Sequence, residues 1–465
     1  MRHQFVSLVA VAALGSCGTE TQSEPDTPLT GLTSPAGTAG DTGPETNAGD
    51  ETGEKLDIGG GGTAAATAEG GDECNEDDLV PTNATLQGTV FAPNMEIPIS
   101  GALVYVTSGD VEPVPDGAYC SECVQLTCDT HFTLTEPDGS FELPAVAGPG
   151  QQLVVQKGQF LHVVDIDVAE GVTMVSPDLS NLPGEWNPDA GLWIPRIAVF
   201  EASPDAVFNV LAKFGLGQVD AGGELIPGTE QFTLINSDAD QGAFMDNLAN
   251  MLPYHIVFVP CAATKFWLGA PNVPALRTVN IRDYVAAGGK WYATDHSNEY
   301  IAEPFPLYQD FHAPSMPDLQ PAYDVQGAVV DTEMLSWLDA LPPNLKDIGN
   351  GNPTLLNLPS LTLELNYSGL DAVHEVLVAD DEGKLVNVGH HTWVEGPCTS
   401  CSDPGAIRPM AVSGQWGCGR MMYSTFENSS IAHAGLNPQE LVLLYMILEI
   451  GVCHDTPPPP PPPAG

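Results

Sequence analysis

Apolar positions change their spacing partway along this chain. Between about residues 84 and 169 they come in short bursts. Leu86 is followed by Val90, and Leu103 by Tyr105, with Val104 and Val106 offset. Phe132 and Leu134, Phe141 and Leu143, then residues 153–155 and 163–168 continue the series. Alternation without a helical repeat predicts short strands. Turn residues separate them, notably Pro137-Asp138-Gly139, where glycine accepts the positive φ of a tight hairpin. The expected product is a small β-sandwich.

From Trp193 the pattern differs. Residues 197–200 are continuously apolar, as in a strand buried on both faces. Ser203-Pro204 reads as a cap and first turn, with Val207, Val210, Leu211 and Phe214 at helical spacing and Gly215 closing. Residues 232–235 predict a strand, Phe244, Leu248 and Met251 a helix, and residues 256–259 another strand. A helix through Leu276 and Val279 stops at Gly288-Gly289, before a strand over 291–294. This alternation predicts a doubly wound parallel sheet. Asn437-Pro438-Gln439-Glu440 then caps a helix that is apolar on all sides to residue 450, and so is expected to pack deep.

The two ends carry different signals. Arg2 precedes an apolar run over residues 5–14, the length of a signal core and too short to span a bilayer. Leu14-Gly15-Ser16-Cys17 follows and resembles the lipobox of bacterial lipoproteins. That resemblance implies cleavage after residue 16 and a diacylglycerol on Cys17, with the membrane engaged through this lipid anchor. Gly18, where an aspartate favours inner-membrane retention in that family, points to the outer membrane or cell surface of a Gram-negative bacterium. Residues 17–72 are almost without aromatic or branched aliphatic residues, which predicts a disordered acidic stalk. Residues 454–465 form a proline-rich tail expected to be extended and solvated.

Composition narrows the partners. With 13 Lys and Arg against 61 Asp and Glu, the formal charge is -48. Such a surface repels nucleic acid and leaves an extracellular ligand or protein as the expected partner. Calcium suits an acidic protein in general, but no stretch has calcium-loop spacing. Residues 237–242 are a fragment of one, better read as a helix N-terminus. No cofactor is expected. Ten cysteines in an exported chain point to disulfides. With Cys17 lipidated, the candidates are Cys74, Cys120, Cys123, Cys128, Cys398, Cys401, Cys418 and Cys453, while Cys261 ends an apolar strand. Cys120-x-x-Cys123 and Cys398-x-x-Cys401 each have half the spacing of a zinc site, but their loop-like context favours disulfides.

Two stretches resemble known families. Gly88-Thr89-Val90, then Ile99-Ser100-Gly101-Ala102-Leu103-Val104-Tyr105-Val106, then Thr135-Glu136-Pro137-Asp138-Gly139-Ser140-Phe141 resembles the carboxypeptidase regulatory-like domain. This implies a non-catalytic, transthyretin-like sandwich over residues 73–172, with an insertion from Cys120 to Cys128 pinned by disulfides. Residues 254–261, 282–295 and 419–426 resemble the class I glutamine amidotransferase-like superfamily, near its trehalose-utilisation-like branch. The expected architecture is therefore multidomain: an all-β sandwich, then an α/β doubly wound, flavodoxin-like domain over residues 193–453. The combination resembles a family of bacterial surface lipoproteins.

Ligands of such sheets sit beyond the carboxyl ends of the strands. Those ends hold Glu201 and Ser203, residues 236–238, Cys261, and Asp295, His296 and Ser297. True amidotransferases place a cysteine at the sharp strand-to-helix turn and a histidine after a later strand, because the thiolate needs a base. Here the turn after Thr294 offers Asp295 and His296, and Glu427 stands where the histidine is expected. Glutamine hydrolysis by that mechanism is not expected. The site is read as degenerate, and the role as binding or structural. The alternative is an extracellular hydrolase of carbohydrate or peptide using a pocket around Cys261, Asp295, His296 and Glu299. There Cys261 and His296 form a thiolate pair, or Asp295, His296 and Glu299 hold a metal. His390 and His391 are strand neighbours that face opposite ways and do not easily share one metal.

Overall fold

The computed structural model describes residues 80–450 and 459–462, except 122–123, 125, 128, 204, 262–267, 269–273, 312–322, 347–355, 368, 381–382, 400–402 and 429–431. The expected signal, Cys17 and the stalk lie outside the described residues, as do Cys74, Cys123, Cys128, Cys401 and Cys453. The protein is mostly β-sheet with a few helices. No helix among the described residues is long and apolar enough to cross a membrane.

The first part contains β1 (Ala84–Thr89), β2 (Leu103–Thr107), β3 (Phe132–Leu134), β4 (Ser140–Ala145), β5 (Gly148–Lys157), β6 (Phe160–Val168) and β7 (Gly171–Met174). The short helix α1 (Pro177–Ser180) and then β8 (Leu192–Trp193) complete it. Two sheets form, in the orders β4-β1-β7 and β3-β2-β5-β6-β8. Leu86 and Leu143 of one sheet share a core with Val104, Leu153 and Val155 of the other. The alternation seen in the sequence is this shared core.

Two expectations need correction here. The Pro137-Asp138-Gly139 turn is tight, with Gly139 at φ 77° and its N–H donating to the Glu136 carbonyl at 2.8 Å. It does not join a hairpin, because β3 pairs with β2 whereas β4 pairs with β1. It carries the chain from one sheet to the other, and a Cβ at Gly139 would sit 2.5 Å from the Val90 carbonyl. The second correction concerns Trp193, the expected start of the second unit. Trp193 pairs with Leu161 of β6, so the sandwich keeps it.

The second part opens with β9 (Ile197–Phe200), α2 (Val207–Leu211), β10 (Thr233–Ile235), α3 (Asp238–Met245) and α4 (Leu248–Met251). Then come β11 (Ile256–Val259), α5 (Leu276–Ala286) and β12 (Lys290–Thr294). α6 (Glu299–Ala302), β13 (Gln309–Phe311), β14 (Tyr323–Val329) and α7 (Thr332–Ala340) follow, then β15 (Leu356–Asn357), β16 (Ser360–Asn366) and β17 (Leu370–Val373). The chain continues through β18 (Leu377–Ala379), β19 (Leu385–Asn387), β20 (His391–Cys398), β21 (Ala406–Trp416), β22 (Gly419–Ser424) and α8 (Pro438–Ile450).

Ten strands form one sheet, ordered β10-β9-β11-β12-β22-β21-β20-β14-β16-β15. The first five are parallel neighbours. From β22 onward every pairing is antiparallel. The expected doubly wound parallel sheet is thus only half of a mixed one. The reason is visible at β21 and β22, which only Gly417 and Cys418 separate. A parallel crossover needs a dozen or more residues, so this link admits only the antiparallel arrangement.

The helices show similar adjustments. Ser237 caps α3 as expected, accepting from the Asp240 N–H. Ser203 does not cap α2, which starts at Val207 without a side-chain cap, and Pro204 lies outside the described residues. In α5 the helix is as expected, but Leu276 and Val279 are exposed; Ile281, Tyr284 and Val285 are buried instead. α8 has the expected capping box: Glu440 N–H donates to Asn437 Oδ1 at 2.8 Å and Asn437 N–H to Glu440 Oε2 at 3.0 Å. Its residues 441–449 are all buried. In the proline-rich tail, expected to be solvated, Pro459 and Pro462 are buried. Polyproline II has three residues per turn, which puts these two on one face.

One core cluster runs through both parts, joining Leu86, Val104 and Phe141 to Ile197, Val210, Trp337 and Leu444. The Trp337 indole N–H donates to the Pro98 carbonyl at 2.9 Å, and Lys157 Nζ lies 2.7 Å from Glu449. The sandwich is packed against the mixed sheet, so the carboxyl ends of its parallel strands sit on a well-supported scaffold.

Candidate functional site

The chain leaves β9 for β10 on one side, then crosses back to β11 on the other. In open sheets, opposed departures of this kind mark the strand ends where ligands bind. Four segments bring residues there: Asp205 after β9, Cys261 after β11, residues 294–297 after β12, and Glu427 and Asn428 after β22.

Asp205 organises these ends. Thr294 Oγ1 donates to its Oδ2, and the Cys261 N–H reaches the same oxygen at 3.2 Å. Its Oδ1 accepts from Asn428 N–H at 3.0 Å and from Asn428 Nδ2 at 2.9 Å. The group is fully buried, and burial raises its pKa against the pull of these donors. One carboxylate thereby ties together the exits of four strands.

The turn after β12 is sharp. Asp295 has φ 48°, a left-handed conformation that aspartate tolerates better than most residues. Tyr423 Oη donates to the Asp295 carbonyl and Ser297 Oγ to that of Pro260, both at 2.6 Å. These bonds fix the turn that carries Asp295 and His296. His296 Nε2 lies 3.6 Å from Asp295 Oδ1, beyond hydrogen-bonding distance. The His296 ring meets Tyr367 edge-on, centroids 3.8 Å apart.

The electrostatics are unusual. Burial, then the charges of Glu427 and Asp205, push the Asp295 carboxyl well above the usual range. Burial raises Glu427 to about 8, with Asp205 adding to the effect. Burial also lowers His296 to about 4. Both carboxylate oxygens of Asp295, both of Glu427, and His296 Nε2 are buried without a hydrogen-bond partner.

Of the expected pocket residues, Cys261, Asp295 and His296 come together, their ligand atoms all within 4.8 Å of one another. Glu299, buried at the start of α6, is not part of that group. Glu201, Ser203 and residues 236–238 are exposed. Sequence reasoning missed Asp205, Asn428 and Tyr367 as site residues. Glu427 was legible only as a departure from the superfamily pattern.

Cys261 is disulfide-bonded, and so is Cys398, to partners outside the described residues. A disulfide sulfur is neither a thiolate nucleophile nor a thiolate ligand. The proximity of Cys261 to Asp295 and His296 is therefore not a Cys–His pair. Cys120 is bonded to Cys418. The insertion expected to be pinned by disulfides is tied to the second unit at this cysteine. His390 and His391 do face different partners: His390 Nε2 is 2.7 Å from Gln309 Oε1, and His391 Nε2 is 3.2 Å from Asp331.

No protein-family model matches this chain. No curated protein sequence matches it either. Among solved structures, similarity is found to a cytoplasmic protein of Salmonella typhimurium, at 12% identity and TM-score 0.30, covering 55% of this chain and 98% of that one. A protein of Parabacteroides merdae described as ThuA-like is similar at 8% identity and TM-score 0.30, covering 55% of this chain and 88% of that one. A protein of Bacteroides uniformis described as carbohydrate-binding is similar at 11% identity and TM-score 0.15, over 22% of this chain and 41% of that one. The present chain thus spans less than half of the last.

Proposed function

We propose that this chain is an exported, lipid-anchored surface protein with a binding or structural role. In this reading a transthyretin-like sandwich precedes a flavodoxin-like unit of amidotransferase type that lacks thiol chemistry. The observation that carries it is the disulfide at Cys261. With that sulfur oxidised, the thiolate form of the alternative hydrolase, which pairs Cys261 with His296, has no nucleophile. Asp295 at the sharp turn and Glu427 after β22 replace the cysteine and histidine that amidotransferase chemistry needs. The order of the parallel strands, second-first-third-fourth-fifth, supports the flavodoxin-like reading. A disulfide between the two units suits an oxidising compartment, and the lipobox-like Leu14-Gly15-Ser16-Cys17 suits export and anchoring.

Thiol titration of the unreduced, native full-length protein tests the chemistry. No reaction at Cys261 is expected, and a reactive Cys261 thiol would restore the hydrolase. Anchoring is tested by Cys17→Ala, which should lose lipid labelling and leave the membrane fraction. Retention in that fraction would refute the anchor.

A further inference from the structure

Five polar atoms at the exits of β12 and β22 lie buried without partners, namely the carboxylate oxygens of Asp295 and Glu427 and Nε2 of His296. None of the three residues is more than 8% exposed. Leaving such a group unsatisfied is costly, and more so when it is charged. When ionised, the four carboxylate oxygens only accept, and the imidazole nitrogen can do the same. Burial favours the protonated carboxyls of Asp295 and Glu427, so a cation binding here would displace those protons. A water supplies two protons but no charge to offset two carboxylates with a third, Asp205, behind them. A cation supplies charge and accepts the lone pairs directly.

We propose that Asp295 and His296 bind a divalent cation of the first transition row, zinc being the best match, with the Glu427 carboxyl adding its charge to the site. An imidazole with carboxylates is a borderline nitrogen and oxygen donor set, which suits zinc. Calcium takes six to eight oxygens and is a poor match for it. Cys261 Sγ stands at the third corner of the group. As a disulfide sulfur it is a neutral, weak donor and is outside the ligand set. Asp205 is also outside it, because its oxygens already accept from Thr294, Asn428 and Cys261. Its charge adds to the attraction. This ligand assignment does not depend on how the protein is anchored.

The test uses the full chain in detergent, disulfides intact, stripped with a chelator and titrated with zinc by calorimetry and thermal melting. One zinc per chain and a raised Tm are expected. Asp295→Asn and Glu427→Gln, close in shape to the originals, should melt no lower than the stripped parent, because each removes an unpaired buried carboxylate. Each should weaken zinc binding at least tenfold and shrink the Tm rise. His296→Gln should weaken binding likewise. The proposal is overturned if zinc gives no shift, or if the shift is unchanged in these variants. It is equally overturned if calcium alone produces the shift, or if zinc binds only after reduction, which would move the site to a Cys261 thiolate.

Discussion

Cys120 and Cys418 are covalently joined across a sequence separation of 298, with their Cα atoms 4.9 Å apart. Cys120 belongs to the long segment between β2 and β3 of the sandwich, and Cys418 to the two-residue turn between β21 and β22. The segment before Cys120 is laid along the amino ends of the parallel strands. Ala118 N–H donates to the Leu252 carbonyl at 2.8 Å, and Arg196 Nη2 is 3.1 Å from Asp116. The candidate site occupies the opposite ends of the same strands.

Breaking this bond frees a loop that spans most of the folded chain. Cys418→Ser should cost about 2–5 kcal/mol, by the range for native disulfides. Urea midpoints under non-reducing conditions measure the loss. Peptide mapping without reduction should recover the Cys120–Cys418 pair from the parent protein.

Gly288 lies directly beneath the same segment. Its φ is 106°, and a Cβ there would fall 1.8 Å from the Tyr119 carbonyl oxygen. Backbone, not a flexible side chain, is in the way. Gly288→Ala should therefore lower stability by more than the ~1 kcal/mol usual for an unfavourable glycine replacement. Faster proteolysis between residues 110 and 120 should accompany the lower Tm.

His255 ties the segment down through a single protonation state. The Arg196 N–H donates to Nδ1 at 2.7 Å, so the proton sits on Nε2, which donates to the Pro115 carbonyl at 2.9 Å. A second proton on Nδ1 would oppose the Arg196 N–H. Burial, then Lys290 and Arg196, lower its pKa to about 3, with Asp116 pulling weakly the other way. The unfolded state therefore binds this proton more readily between pH 6.5 and about 3. Its contribution to stability is complete above pH 6.5 and is lost as pH falls through that window, by at most about 1.4 kcal/mol per pH unit. Urea midpoints at pH 7, 5.5 and 4 should fall less steeply in His255→Gln than in the parent.

Lys157 of β5 and Glu449 of α8 form an ion pair whose side chains are 3% and 7% exposed. Removing one partner leaves the other charge buried. Lys157→Met should cost about 3–5 kcal/mol. The double variant Lys157→Met/Glu449→Leu should recover most of that loss, because the apolar pair removes both desolvation costs. A thermal denaturation cycle over the four proteins separates the coupling from either single effect.

Local patterning was enough for much of the scaffold. Alternation at Leu86, Leu103, Phe141 and Leu153 marked sandwich strands, and the runs at 197–200, 256–259 and 291–294 marked the parallel half-sheet. Asn437 and Glu440 announced the start of α8. These features depend on how neighbouring residues satisfy one backbone, so a short window contains the information. On α5 the window identified the helix, but packing against β12 and β22 decides which side is buried.

The rest was decided by contacts between distant segments. The sequence alone determined that Asp295 and His296 stand together at a strand exit. Only the tertiary structure brought in Asp205 and Asn428, 223 positions apart, to bind those exits together. It also put Cys261 in a disulfide, joined Cys120 to Cys418, and turned the second half of the sheet antiparallel. No local window reports which buried carboxylate meets which distant donor. That choice follows from the need to satisfy or neutralise polar groups once apolar burial has brought the segments together.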